Sequence, residues 1–313
     1  METKFKTIFL GTKGGLTENN LTAYLLAPKE SNDFVCVDAG TLLSGIKQAA
    51  AAGSFDQISV PADYPLTLEG YILKERIKAY LLSHAHMDHI LGLAVNSEYD
   101  NDKSIFAVPR TIEYLREHIF NWISWPNIAD EGVEPHLEKY HYVRLQLGQE
   151  TPLGDLPMTV TAFKISHSNP YESTAFLVRH DDAYMLFVGD TGPDVVEKSD
   201  RLQIIWSQVA PLVRAGALRA IFLEASYTDG RPDHLLFGHL TPSWMMYELD
   251  RLAEFVDPEH PEKALSGLSI IVTSIKPTFH KISVKNQVRE QLNELNNLSV
   301  KFIIPKQGEL LEF

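Results

Sequence analysis

The chain has 313 residues, 44% hydrophobic and 22% charged, with a formal net charge of −13. This is globular composition with ample length for a core, and 41 acidic against 28 basic residues, without a basic cluster, disfavour a long nucleic acid as partner. A single cysteine, Cys36, excludes an intrachain disulfide and a Cys-rich zinc module.

In chain order, apolar runs with strand character fall at 7–10, 21–26, 34–37 and 78–82. Later ones fall at 105–108, 158–165, 174–178, 184–188, 220–223 and 269–273. Helical periodicity marks 41–51, 88–95, 110–119, 200–215, 242–256 and 284–295. Cys36, inside the apolar run Phe34-Val35-Cys36-Val37, reads as a buried strand residue rather than a nucleophile. The interval Asn121 to Gln149 is less regular, with Trp122, Trp125, Pro126 and Pro135, and is expected to be an insertion beside the active-site mouth. A strand-rich start, a strand–loop–helix unit and a second strand-rich block from about residue 158 predict two similar β-rich halves with helices outside. Together they are expected to form one domain over 1–313.

The strongest chemical signal is Leu81-Leu82-Ser83-His84-Ala85-His86-Met87-Asp88-His89. An apolar strand delivers three histidines and an aspartate and then turns into an amphipathic helix. Imidazole and carboxylate suit zinc and other first-row divalent ions. On a tight turn His84 and His86 can share a pocket, while Asp88 and His89 at the helix start can face a second ion.

This run resembles the His-x-His-x-Asp-His signature of the metallo-β-lactamase superfamily, which implies an α/β fold, the four-layer αββα sandwich. The resemblance extends to Val37-Asp38-Ala39-Gly40, an early Asp-Gly motif that supports the ligand loop in that family; by itself Asp38 also reads as a turn or cap residue. It continues through His167, the isolated third histidine, and Asp190 in Val188-Gly189-Asp190-Thr191, the bridging aspartate. The resemblance therefore implies His84, His86, His167 and Asp190 around one ion, and Asp88, His89 and Asp190 around the other. The family's usual late histidine is replaced by Ser274. Water, His280 six residues on, or weak binding of the second ion are the alternatives this leaves.

Within the superfamily the stretch from His84 to Ser97 is most similar to class II cyclic-nucleotide phosphodiesterases, as are the segments 10–15, 18–25 and Ile275-Lys276-Pro277. That implies hydrolysis of cyclic AMP or cyclic GMP to the 5′-monophosphate by a hydroxide held at a dinuclear site. The expected cofactors are two divalent ions, zinc first, with manganese or iron within the same ligand chemistry. Asp88 and His239 are the expected catalytic residues. His239, in Gly238-His239-Leu240-Thr241, would contact the phosphate and assist departure of the 3′ oxygen; otherwise it caps the helix that starts near Pro242. Glu224, after a buried strand, would orient a ligand or His239. The Gly14-Gly15 turn would bring Glu18 to Asn20 to the site mouth, where an amide could meet base or ribose.

Rival readings are other hydrolases of the same fold: an RNA 3′-processing phosphodiesterase, a thioesterase, a lactonase or a β-lactamase. A different class is a metal- or nucleotide-binding protein with a decayed second site. The expected partner is a small cyclic nucleotide, with no long nucleic acid and no membrane, and a homodimer is compatible with the sequence. The start lacks a signal-peptide apolar run and no stretch approaches the ~18 apolar residues of a membrane span, so a cytoplasmic protein is expected. A leader removed beforehand would instead place it in the periplasm or outside the cell.

Overall fold

A computed structural model describes residues 2–168 and 170–313. The strands are β1 (Phe5–Gly11), β2 (Ala23–Pro28), β3 (Phe34–Val37), β4 (Ile77–Leu81), β5 (Lys103–Ala107), β6 (Tyr140–Arg144) and β7 (Glu150–Pro152). They continue with β8 (Thr159–Ser166), β9 (Glu172–His180), β10 (Ala183–Phe187), β11 (Leu218–Glu224), β12 (Ser269–Thr273), β13 (Lys301–Ile303) and β14 (Leu310–Glu312). Two compact units result. The first comprises Met1–Thr12, Thr17–Val160 and Lys306–Phe313; the second comprises Lys13–Leu16 and Thr161–Pro305.

The first unit holds a sheet in the order β14-β1-β2-β3-β4-β5-β6. Pairing is antiparallel from β14 to β3 and parallel from β3 to β6. The parallel strands read as continuous apolar runs because both faces are covered, and Phe34, Val35, Cys36, Tyr80 and Leu81 are buried accordingly. Cys36 is enclosed, and burial pushes its thiol up, so it is a packing residue as its strand context predicts. The interval 121–149 is more regular than its sequence suggests. Tyr140–Arg144 is the edge strand β6, parallel to β5, and the fully buried Tyr140 ring packs edge-on against Tyr80. Their hydroxyls both donate to the buried Asp100 carboxylate, which also pairs with Lys103.

In the second unit six strands of the other sheet run β13-β12-β11-β10-β9-β8. β9 and β10 are antiparallel, and β10 to β13 are parallel. The helices Arg201–Arg214 and Pro242–Val256 pack on it with Ile205, Trp206, Val209, Met245, Leu249 and Leu252 buried. Trp206 Nε1 donates to the buried Glu248 carboxylate at 3.0 Å, which satisfies the one polar group the ring brings inside. Thr241 caps the second of these helices, with Pro242 in its first turn. Among the described residues no helix is long and apolar enough to cross a membrane.

Candidate metal centre

In open α/β sheets, ligand-binding residues gather outside the carboxyl ends of parallel strands. Both units follow that rule. In the first, Asp38 directly follows β3, and Ser83 and His84 come two and three residues after the end of β4. The chain then turns so that His86, in extended conformation, becomes the N-cap of the helix Met87–Asn96. Asp88 lies in the first turn of that helix, where its charge favours the positive helix end. Ile90 and Leu93 bury the inner face, together with His89.

Asp38 is the organising residue of this loop. It is 3% exposed and sits in left-handed backbone, φ 51°. Its carboxylate accepts from the Ser83 amide at 2.8 Å and lies 2.8 Å from His89 Nδ1. It also accepts from the Ser83 hydroxyl, whose oxygen is 3.0 Å from His84 Nδ1. With the hydroxyl proton spent on Asp38, Ser83 can only accept from His84, so a single carboxylate sets the tautomer of two histidines. In both rings these contacts favour a proton on Nδ1, which in the neutral form leaves Nε2 as the lone-pair nitrogen. His84 Nε2 and His86 Nδ1 face each other at 3.1 Å, and the His84 and His89 rings lie 4.1 Å apart.

The glycines of this region have steric reasons. A Cβ on Gly40 would come within 2.0 Å of the Asp88 carbonyl oxygen, and one on Gly92 within 2.7 Å of the Ala39 carbonyl. The Gly92 amide donates to Gly40 and the Leu93 amide to Ala39, both at 3.0 Å. The Asp-Ala-Gly turn is thus the bed on which the helix Met87–Asn96 lies. Asn20 Oδ1 accepts from the Thr12 amide at 2.8 Å and the Thr12 hydroxyl at 3.2 Å, which fastens a turn.

The second unit assembles its site from several strand ends: His167 follows β8, Asp190 follows β10, Glu224 ends β11 and Ser274 follows β12. His167, Asp190 and His239 are all buried, and each offers a ligand atom within 4.8 Å of the others. His167 Nδ1 lies 2.8 Å from the Gly238 carbonyl, which can only accept, so its Nε2 is again the lone-pair nitrogen. Burial lowers the His167 pKa, and the Asp190 charge opposes but does not reverse this, which favours the neutral, ligating form.

Glu224 is this unit's counterpart of Asp38. Its buried carboxylate accepts from the Thr191 and Ser226 amides at 2.9 and 3.1 Å and lies 2.8 Å from His239 Nδ1. It therefore orients His239 and, through Thr191, braces the strand end that carries Asp190. Burial works against a charged His239 ring, but the Glu224 and Asp190 carboxylates outweigh it and hold its pKa above the usual imidazole value. The helix that starts at Pro242 is capped by Thr241, so His239 is not its cap. Gly238 is required here: φ is +72°, and a Cβ would stand 2.2 Å from the Ser168 amide nitrogen.

Ser274 is buried in left-handed backbone, φ 52°, and its carbonyl accepts from Ser226 Oγ at 3.0 Å. Ser226 Oγ is 3.2 Å from His239 Nδ1. His280 is exposed and joins none of the histidine–carboxylate clusters among the described residues. Sequence reasoning did not assign Ser83 or Ser226. Their only signal is adjacency, Ser83 directly before His84 and Ser226 two residues after Glu224.

The donor chemistry fits divalent ions: buried imidazoles beside an acid, with His84, His89 and His167 each held through Nδ1 by an outer acceptor, are what such ions select. The fold defines the class. The chain aligns over its whole length with unliganded yeast PDE1, with TM-score 0.84, 24% identity and full coverage of both chains. It also aligns with the metallo-β-lactamase fold protein YhfI from Bacillus subtilis, with TM-score 0.63, 17% identity and full coverage of both. The fold is therefore the metallo-β-lactamase fold.

The family follows from sequence. Residues 2–308 match the family model of class II cAMP phosphodiesterases. A 3′,5′-cyclic-nucleotide phosphodiesterase from Aliivibrio fischeri is 40% identical over 99% of this chain and 93% of that protein. The chain belongs to the class II cAMP phosphodiesterase family, and it is a hydrolase.

Proposed function

We propose that the protein hydrolyses 3′,5′-cyclic nucleotides, cyclic AMP foremost and cyclic GMP by the same chemistry, to 5′-monophosphates at a dinuclear metal site. Residues 1–313 act as one hydrolase domain in this reading. His84, His86, Asp88, His89, His167 and Asp190 serve as the metal ligands. The observation that carries the proposal is the tautomer control: His84, His89 and His167 each have Nδ1 committed to an outer acceptor, which leaves Nε2 as donor to an ion. Bound divalent ions would supply Lewis acidity, acidifying a water and neutralising charge on the phosphate. Zinc suits the imidazole-rich set, and manganese and iron fall within the same ligand chemistry.

The chain's own residues do the rest. Asp38 and Glu224 hold imidazoles in register without themselves reacting. His239, oriented by Glu224 and held with a raised pKa, keeps a proton for the 3′ oxygen as the ring opens. Its place beside His167 and Asp190 supports a second role, that of ligand in the position Ser274 cannot fill. Metal content separates the two roles: His239→Ala keeps its ions if His239 is the acid and loses one if it is a ligand.

The test is product analysis on cyclic AMP and cyclic GMP, with nitrocefin and a thioester as controls. The expected result is release of 5′-AMP, abolished by chelation and restored by a divalent ion. Turnover of a control substrate with both cyclic nucleotides left intact would move the protein to a rival hydrolase class.

A further inference from the structure

Two residues before His239, an aromatic ring faces solvent. Phe237 is 55% exposed, while its neighbours Leu236, Gly238 and His239 are buried. Its backbone is left-handed, φ 50°, which is an outlier for a bulky L residue. The turn needs that geometry, because it sends the Gly238 carbonyl to His167 and the His239 ring to Glu224. It does not need a phenyl ring there: glycine or asparagine takes a left-handed position with less strain. A strained aromatic displayed to solvent beside reacting groups points to a ligand contact.

The ring has a backing. The Arg231 guanidinium carbon lies 3.9 Å from the Tyr227 ring centroid and 5.8 Å from that of Phe237. Arg231 Nε donates to the Leu235 carbonyl at 2.6 Å, which holds the guanidinium in place. The Tyr227 ring in turn stands edge-on to His239, with centroids 5.6 Å apart. A row of π and cationic groups thus leads from His239 outward to Phe237. Two residues span at most about 7 Å of backbone, the same order as the reach from a phosphate across one ribose to its base.

We infer that Phe237, backed by Arg231 and Tyr227, is the stacking platform for the purine base, and sets the preference for nucleotides over base-free phosphate esters. This rests on the phosphodiesterase reading, since the phosphate must sit at the His239 end. A base stacks on an aromatic face whatever its edge pattern, so the platform confers base dependence without choosing between adenine and guanine.

The experiment is calorimetric titration of the metal-loaded enzyme with 5′-AMP and, separately, with ribose 5-phosphate. The wild-type chain is expected to prefer 5′-AMP, and Phe237→Ala to lose about 5- to 150-fold of that preference, the worth of one base–aromatic stack. Phe237→Trp should retain it, and unchanged ribose 5-phosphate binding in both variants shows that the fold is intact. Retention of the full preference in Phe237→Ala, or equal weakening of both ligands, would overturn the inference. Turnover of cyclic AMP is read separately. An enzyme with this base preference that leaves cyclic AMP intact contradicts the phosphodiesterase reading and keeps the platform.

Discussion

The two units place the same chemistry differently. In the first, His84, His86, Asp88 and His89 come from one short run, the loop after β4 and the first turn of the following helix, and a carboxylate from the neighbouring strand end, Asp38, locks that run from behind. In the second, His167, Asp190, Glu224 and His239 come from separate strand ends and turns, and Glu224 ties them together. A contiguous loop gets its geometry from local turn chemistry and one outer partner. A dispersed site gets it from the register of a whole sheet, so its precision depends on the core beneath it. Each unit nevertheless ends in the same element, a buried carboxylate 2.8 Å from a histidine Nδ1.

If this parallel is right, damage should grade with distance from the ion in both units. The largest effect is expected at a ligand. His86→Ala should reduce activity to the chelated baseline and lower the bound metal, and a variant that keeps two ions per chain contradicts its assignment. Next comes His239→Ala, which in the acid role should lower kcat by about 10²- to 10⁴-fold with metal content intact. Near-normal turnover there would remove His239 from the chemistry.

The matched pair Asp38→Asn and Glu224→Gln sharpens the comparison most. Each should cost about 10- to 100-fold in metal affinity or activity, the usual toll for an outer partner of a ligand. Asp38→Asn should act mainly on metal affinity, because it releases two ring tautomers. Glu224→Gln should act mainly on kcat, because its principal client is His239. Equal profiles for the two variants would erase the distinction between the units.

The smallest effects are steric. Gly40→Ala and Gly238→Ala force a Cβ against backbone at 2.0 and 2.2 Å, and each should destabilise its unit by about 1–3 kcal/mol in denaturant melts. Gly238→Ala should also disturb His167, whose Nδ1 would stand 2.9 Å from the new methyl group. An unperturbed melt for either would show that the backbone relaxes more easily than these contacts imply.

The same contrast explains what could be read from the sequence. The candidate loop was legible because its four donors fall within six residues, framed by an apolar strand and a helix. His167 and Asp190 were legible only through the family pattern, since a lone histidine or aspartate after a strand carries no signal of its own. The carboxylate partners were half-visible: Asp38 and Glu224 each followed an apolar strand, but which ring each one holds depends on pairing across strands. Ser83 and Ser226 were missed because a serine beside a ligand looks like any other serine. Strand β6 was missed for a related reason. Its alternation covers only five residues in an otherwise irregular interval, and its burial comes from Tyr140 reaching Asp100 and Tyr80. The bond from the Thr12 amide to Asn20 Oδ1 was not legible, because it spans a turn whose closure depends on the fold.

The most direct test of the central claim joins metal content to reaction in one sample: metal analysis of the purified protein, then cyclic AMP hydrolysis before and after chelation. The account predicts two divalent ions per chain and 5′-AMP release that falls to background on chelation and returns with added zinc or manganese. Chelator-resistant turnover, or a fully loaded protein that leaves cyclic AMP intact, would contradict it.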